Sequence, residues 1–137
     1  MTGRVAWIHE NRDTRASQLL GLASNSNDTL QSVNASVSYI YKQTWSLTGG
    51  WATLGGTADA LLYGTPTGGP NSIGWIAELA YLPFMHGGPK FWPWLNFRVG
   101  LQYTRWTKFD GATTNINGNG RNANDNNTFF AYLWTMF

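Results

Sequence analysis

Apolar and polar residues alternate along most of this chain, and this period of two constrains its fold more than any other feature. In the segment VNASVSYIYK, residues 33–42, one set of alternate positions is apolar or aromatic and the other is mainly polar. LNFRVGLQYT, residues 95–104, repeats the pattern, as do residues 73–81. Because successive side chains of a strand point to opposite faces of a sheet, the pattern predicts β-strands with one apolar and one polar face.

The pattern predicts an all-β fold, an antiparallel up-and-down meander of six long strands that forms one segment over residues 1–137. No stretch has the 3.6-residue period of a helix. The predicted strands are Gly3–Asn11, Leu30–Lys42, Trp45–Leu62, Ser72–Pro83, Leu95–Phe109 and Thr128–Phe137. Three long polar loops alternate with a tight turn at Gln43-Thr44 and the connection FMHGGPKFWPW. The long loops are therefore expected at one end of the sheet.

Two kinds of protein have strands with this alternation. A soluble sheet turns its apolar face inward, whereas a membrane barrel turns it outward to lipid and lines its lumen with polar residues. Charged residues make up only 12% of the chain and aromatic residues 15%. A ten-residue strand tilted by ~40° spans about 25 Å, the height of a barrel's apolar band. These features favour a bacterial outer-membrane β-barrel.

The strand pattern assigns candidate roles to individual side chains. Charged and amide residues on the polar faces are predicted to face a lumen, where they would tune solute passage or pair and fill a narrow interior; they are Lys42, Glu78, Arg98 and Gln102. Aromatic residues near strand ends are predicted at the two membrane interfaces; they are Tyr39, Tyr41, Trp45, Tyr81, Trp94, Tyr103 and Trp106. An apolar final strand is typical of a barrel, and its predicted assembly signal is Phe129, Leu133 and Phe137.

The chain also resembles a known group of proteins. The segment LQYTRWTKFDGATTNINGNGRNANDNNTFFAYLWTMF, with RVAWIHENRD and GTADALLYG before it, resembles the C-terminal part of an uncharacterised family of proteobacterial outer-membrane barrels. Some of its members are labelled as cytochrome c-associated. The resemblance implies a longer barrel with further N-terminal strands, and it carries over no catalytic residue. Thr135 departs from the aromatic expected third from the end of many such barrels.

The predicted function is a passive, porin-like or structural role in the outer membrane, with no chemistry of its own. His9 and Glu10 are neighbours on a strand, so they are expected on opposite faces and not at one active site. Two lone His without Cys predict no metal or cofactor site, and the loop Asp110–Asn127 lacks the spaced carboxylates of a calcium loop. The alternatives are a soluble β-barrel with an apolar ligand inside, and an outer-membrane enzyme that uses His9 or His86.

The predicted partners follow from the membrane interpretation. They are outer-membrane lipid, the barrel assembly machinery, and either missing N-terminal strands or further copies of the chain. Single-chain barrels have at least eight strands, and the chain opens without a signal peptide. These two points predict that it is the C-terminal portion of a longer barrel or that several copies share one. The net charge of +2 is too small to indicate nucleic acid.

Overall fold

The six strands form one antiparallel sheet in which every strand pairs with its sequence neighbours. In the computed structural model, which describes residues 1–136, the strands follow the order β1 to β6 across the sheet. They are β1 (Thr2–Asp13), β2 (Asn27–Tyr41), β3 (Trp45–Gly56), β4 (Ser72–Tyr81), β5 (Asn96–Lys108) and β6 (Thr128–Met136). This arrangement confirms the predicted all-β, up-and-down meander. Within the described residues, β1 and β6 each have only one neighbouring strand, so the sheet is open.

The register places most apolar positions of β1 to β5 on one face, which we call the outer face. On β2, for example, Val37 pairs with Gly3 on one side and with Gly49 on the other, and the same row continues to Ala77 and Tyr103. Many of these apolar side chains are exposed, including Leu47 at 57%. The opposite face, which we call the polar face, holds Ser, Asn, Thr and Gly on the central strands. The sheet therefore has no apolar core on either side of its own.

Three long loops meet at one end of the sheet, which we call the loop end. They cover residues 14–26, 57–71 and 109–127, and they contain helices α1 (Arg15–Leu19) and α2 (Ala60–Tyr63) and a 3₁₀ turn (Ala123–Asn126). The other end, the turn end, has the tight turn 42–44 and the connection 82–95. Lys42 and Gln43 both have positive φ in the tight turn. The alternation of connections along the chain thus places the long loops together, as the sequence predicts.

Two details of the predicted elements are wrong. The third strand ends at Gly56 and not at Leu62, because Asp59 begins helix α2: its carboxylate accepts hydrogen bonds from the backbone N–H groups of Leu61 and Leu62. The prediction of no helices also missed three short helical segments in the loops. Among residues 1–136, no helix is both long and apolar enough to span a bilayer.

Candidate functional site

The polar face curls around a cavity that runs across the sheet. The cavity has a volume of about 390 Å³, and its lining reaches from β1 to β5. Arg4 and Ile8 line it at the β1 side, and Thr104 and Trp106 line it at the β5 side. Because side chains of both strands border one space, this face is the concave one. A barrel that contained this sheet with the same curvature would have the polar face inside.

Glu78, Arg98 and Tyr132 form a hydrogen-bonded cluster on the polar face, across three neighbouring strands. The Tyr132 hydroxyl donates to Glu78 Oε1 at 2.8 Å, and Arg98 Nη2 donates to the same oxygen. The Arg98 guanidinium also lies over the Tyr132 ring, 5.6 Å from its centroid. One carboxylate oxygen thus joins β4, β5 and β6, and the negative and positive charges of the cluster neutralise each other.

Gly100 makes room for this cluster. Its register partner on β6 is Tyr132, and on β4 it is Ala80. A Cβ built at position 100 would collide with the Tyr132 ring and hydroxyl. The ring therefore lies flat across the backbone of β5, which allows its hydroxyl to reach Glu78 two strands away. Any side chain at position 100 would lift the ring from the sheet.

Three aromatic rings follow one another on the polar face of β6. Phe130 and Tyr132 are stacked with centroids 5.8 Å apart, and Tyr132 and Trp134 are tilted with centroids 6.2 Å apart. Phe130 is 57% exposed and Trp134 is 64% exposed. On the central strands the same face carries mainly small polar residues. The last strand therefore differs from them, because it presents large apolar side chains on both faces.

The structure brings together three of the four residues that the sequence predicts to face a lumen. Glu78, Arg98 and Gln102 share the polar face, and Gln102 is the register partner of Glu78. Lys42 does not join them. It lies in the tight turn after β2, and its ammonium group is 5.3 Å from the centroid of the Tyr41 ring. β2 ends at Tyr41, one residue earlier than the alternation suggests, and the role of Lys42 in a lumen stays a prediction.

The predicted interface aromatics divide between three places. Tyr39, Tyr41, Trp45 and Tyr81 lie on the outer face near the turn end, and Tyr103 lies on the outer face of β5. Trp94 is exposed in the connection 82–95, outside the strands.

Trp106 does not lie on the outer face with the other aromatic residues that were predicted at the membrane interfaces. It lies on the polar face, where its ring would be 3.0 Å from a Cβ at Gly74 and where it lines the cavity. Its position is three residues from Tyr103, an odd number, so on a regular strand the two side chains must point to opposite faces.

A second aromatic pair, which was not predicted from the sequence, lies on the outer face. Trp51 on β3 and Trp75 on β4 are register partners with ring centroids 6.3 Å apart. Trp45 and Tyr81 form the corresponding pair near the turn end, with centroids 4.6 Å apart. The even spacing from Trp45 to Trp51 placed both on one face, and this signal was available in the sequence.

The predicted assembly signal is described only in part. Phe129 and Leu133 both lie on the outer face of β6, opposite Tyr103 and Val99 of β5, and both are exposed. Phe137 lies outside the described residues. The assembly role itself stays a prediction.

The two histidines lie far from the polar cluster. His9 is on the outer face of β1, where its ring stacks with Trp7 at 5.9 Å, while Glu10 points to the polar face. His86 is exposed in the connection 82–95. Within residues 1–136, no group of three or more His, Cys, Asp or Glu side chains could hold a metal ion.

Asp59 holds the loop end together. Its buried carboxylate accepts hydrogen bonds from the backbone N–H groups of Ser24 and Asn25 in the first loop, at 2.8–2.9 Å, as well as those of Leu61 and Leu62 in its own. Burial alone would raise the pKa of Asp59, but these hydrogen bonds favour the ionised form more strongly and lower the pKa to about 2. The group is therefore a structural anion at neutral pH.

The third loop joins the second through backbone contacts. Gly111 N–H donates to the carbonyl of Asn71 at 2.7 Å, and Asp110 N–H donates to Ser72 Oγ at 3.1 Å. Burial raises the pKa of the Asp110 carboxyl. The hydrogen bonds therefore connect all three loops in sequence, and the loop end is a packed cap rather than a set of separate loops.

Comparison of the chain with family models, with curated proteins and with solved structures finds no match.

Proposed function

We propose that this chain forms part of the wall of a bacterial outer-membrane β-barrel with a passive, porin-like or structural role. The observation that carries the proposal is the distribution of side chains between the two faces. The outer face exposes apolar residues, whereas the Glu78–Arg98 ion pair and the small polar residues lie on the concave face. A soluble sheet has the opposite arrangement, because its concave or covered face is the apolar one.

The spacing of aromatic residues on the outer face supports a bilayer as the surrounding medium. The Trp51–Trp75 pair and the Trp45–Tyr81 pair are six residues apart along β3, about 20 Å along the strand at ~3.3 Å per residue. Aromatic girdles flank the apolar band of a barrel, which is about 25 Å tall. Leu47, Gly49 and Leu79 occupy the zone between the two pairs and carry no charge. At a strand tilt of ~40° the ~20 Å along the strand correspond to about 15 Å of height, so both pairs and the uncharged zone between them lie within the height of such a band.

The open edges indicate what the wall needs in order to close. β1 and β6 leave a row of backbone N–H and C=O groups unpaired within the described chain, and each such group in hydrocarbon costs several kcal/mol. Further strands or further copies of this chain would pair with them, and the barrel assembly machinery would insert the wall. In such a barrel the loop end faces outward and the turn end faces the periplasm, since the longer loops of these barrels are extracellular.

Single-cysteine labels on the two faces test the proposal. The chain contains no Cys, so Val37→Cys on the outer face and Ser36→Cys beside it on the polar face each give one labelling site. Each variant is refolded into liposomes and labelled with an environment-sensitive fluorophore. We expect a lipid-borne quencher to reach the label at position 37 and aqueous iodide to reach the label at position 36.

The same two labelled variants, refolded in plain buffer without lipid, give the result that could reject the proposal. A compact β-rich monomer by circular dichroism and analytical ultracentrifugation, with both labels quenched by iodide, would reject the membrane wall. It would favour a soluble β-barrel that holds an apolar ligand. Equal quenching of both labels by lipid would contradict the assignment of the two faces, because only one face of a barrel wall contacts the bilayer.

A further inference from the structure

We propose that the polar face of β5 and β6 is a binding track for a neutral saccharide, an inference that rests on the proposed barrel and its inward-facing polar side. The track consists of a row of aromatic rings, Phe130, Tyr132 and Trp134, and a parallel row of polar groups on the neighbouring strands, Glu78, Arg98 and Gln102. In the barrel this surface would face the lumen and meet passing solutes.

The aromatic row has two open rings, one on each side of a fixed ring. The hydroxyl bond to Glu78 holds the Tyr132 ring against β5, and the Arg98 guanidinium lies over that ring, 5.6 Å from its centroid. Phe130 and Trp134 are more than half exposed, with centroids 5.8 Å and 6.2 Å from that of Tyr132, and they supply the ring faces that a ligand can reach. A large apolar surface exposed to a water-filled lumen carries a cost that a ligand would relieve. The C–H groups on one side of a pyranose ring pack well against the negative face of an aromatic ring.

The polar row supplies the groups that sugar hydroxyls need. Gln102 lies between Glu78 on β4 and Phe130 on β6, and its side-chain amide has no hydrogen-bond partner among residues 1–136. An amide both donates and accepts hydrogen bonds. The Glu78 carboxylate and the Arg98 guanidinium are each partly exposed, at 18% and 32%. Apolar rings beside such groups match a ring solute with an apolar side and a hydroxylated edge.

The charge of the track selects a neutral solute. Arg98 is the cation that an anionic ligand would require, and it is already paired with Glu78 through the oxygen that also receives the Tyr132 hydrogen bond. An anion would have to break this pair, and a cation would have to displace Arg98 from it. A neutral saccharide leaves the pair intact and uses only the remaining hydrogen-bonding capacity.

The test compares ring removal on the two faces of one strand. Phe130→Leu and Trp134→Leu keep an apolar side chain but remove a ring from the track, and Phe129→Leu removes a ring from the outer face one residue away. The refolded full chain is titrated with maltohexaose, and intrinsic tryptophan fluorescence or calorimetry reports binding. We expect roughly millimolar affinity for the native chain. Each track variant is expected to raise the Kd by roughly three- to tenfold, and Phe129→Leu to leave it unchanged.

Phe130→Tyr restores a ring and is expected to restore binding, while circular dichroism verifies that every variant keeps its β-structure. Binding that is absent in the native chain, or that falls equally in Phe129→Leu and Phe130→Leu, would overturn the proposal. So would a cysteine at position 130 that aqueous thiol reagents cannot reach in the assembled barrel, because another strand would then cover the rings. If the labels at positions 36 and 37 behave as expected while maltohexaose does not bind, the track is wrong and the barrel wall stands.

Discussion

The loop end and the sheet are built for different surroundings. At the loop end the chain buries its own side chains: Ala23, Pro70, Ile116 and Ala123 are buried in the loops, and Asp59 is almost fully covered. On the strands within residues 1–136, Ala80 is the one apolar residue other than glycine that is buried, while large side chains such as Leu47 and Leu133 are exposed. The loop end thus has a small buried centre of its own, although Leu19, Leu20 and Leu61 at its surface are exposed, whereas the sheet has large exposed apolar side chains on its outer face and two unpaired edges.

The contrast explains where each region obtains its stability. The loop end has few apolar contacts and is held by hydrogen bonds between loops, which are worth about 0.5–1.5 kcal/mol each in water. The sheet has regular ladders of backbone hydrogen bonds, but its outer face gains from apolar burial only when something apolar covers it, which in the proposed barrel is lipid. Conditions that remove the bilayer should therefore affect the sheet more than the loop end.

A charge on the outer face should have the largest effect. In a liposome-refolded chain, Leu47→Arg places a guanidinium between the two aromatic pairs, and we expect it to lower the free energy of unfolding by about 2–4 kcal/mol. Ser46→Arg is the matched control, because position 46 lies on the polar face and the side chain can reach water; its effect should be below about 1 kcal/mol. Urea titrations followed by tryptophan fluorescence measure both. Equal losses in the two variants would mean that the outer face does not contact lipid.

Filling the space at Gly100 should have an intermediate effect that is local to the polar cluster. Gly100→Ala forces the Tyr132 ring away from β5, and overpacking of this kind lowers the free energy of unfolding by about 1–3 kcal/mol. Gly49→Ala is the control: it is also a strand glycine, and a Cβ there meets nothing within 4 Å. The same urea titration compares them. If Gly100→Ala is as well tolerated as Gly49→Ala, then Tyr132 does not lie flat over β5.

Acid should weaken the anchor at Asp59 in the loop end, and this is the smallest of the three effects. The pKa of Asp59 in the folded chain, about 2, lies below its ordinary value of 3.8. The ionised group therefore stabilises the loop end fully above about pH 4, and this stabilisation is lost as the pH falls through 2. We expect the amide resonances of Ser24 and Leu62 to shift with a midpoint near pH 2 in NMR titrations of the detergent-refolded chain.

Two variants separate Asp59 from the other loop carboxyl groups. In Asp59→Asn the titration of the Ser24 amide should disappear, because the group that accepts its hydrogen bond no longer ionises. In Asp110→Asn it should remain, since Asp110 has no side-chain hydrogen bond to the first loop. A midpoint at or above 3.8 in the native chain would show that the hydrogen bonds to Asp59 do not outweigh its burial.

The strands could be predicted because their signal is local. Side chains alternate between faces wherever the backbone is extended. The two-residue period of apolar and polar residues therefore identified all six strands and their antiparallel order. The ends were less predictable, since hydrogen bonds to Asp59 end β3 at Gly56, six residues before the alternation does. Asp before a run of helix-forming residues is a cap signal that was present in the sequence.

The site was predicted residue by residue but not as a cluster. The alternation of side chains along each strand places Glu78, Arg98 and Gln102 on one face. The same rule would have placed Trp106 on the polar face. The contact between Glu78 and Tyr132 spans 54 positions of sequence and depends on the register of two strand pairs and on the missing side chain at Gly100. No local pattern encodes such a register, and only the assembled sheet reveals it.

An even number of strands brings Thr2 and Met136 to the same end of the sheet, beside the tight turn 42–44 and the connection 82–95. In the proposed barrel, tags inserted beside Thr2 and beside Met136 would therefore report the same compartment, the periplasm. An antibody applied to intact cells would detect neither tag, although it would reach an epitope inserted in the loop 109–127. Because the strand count is even, these tags and the epitope together provide a simple assay of which side of the membrane each end of the sheet faces.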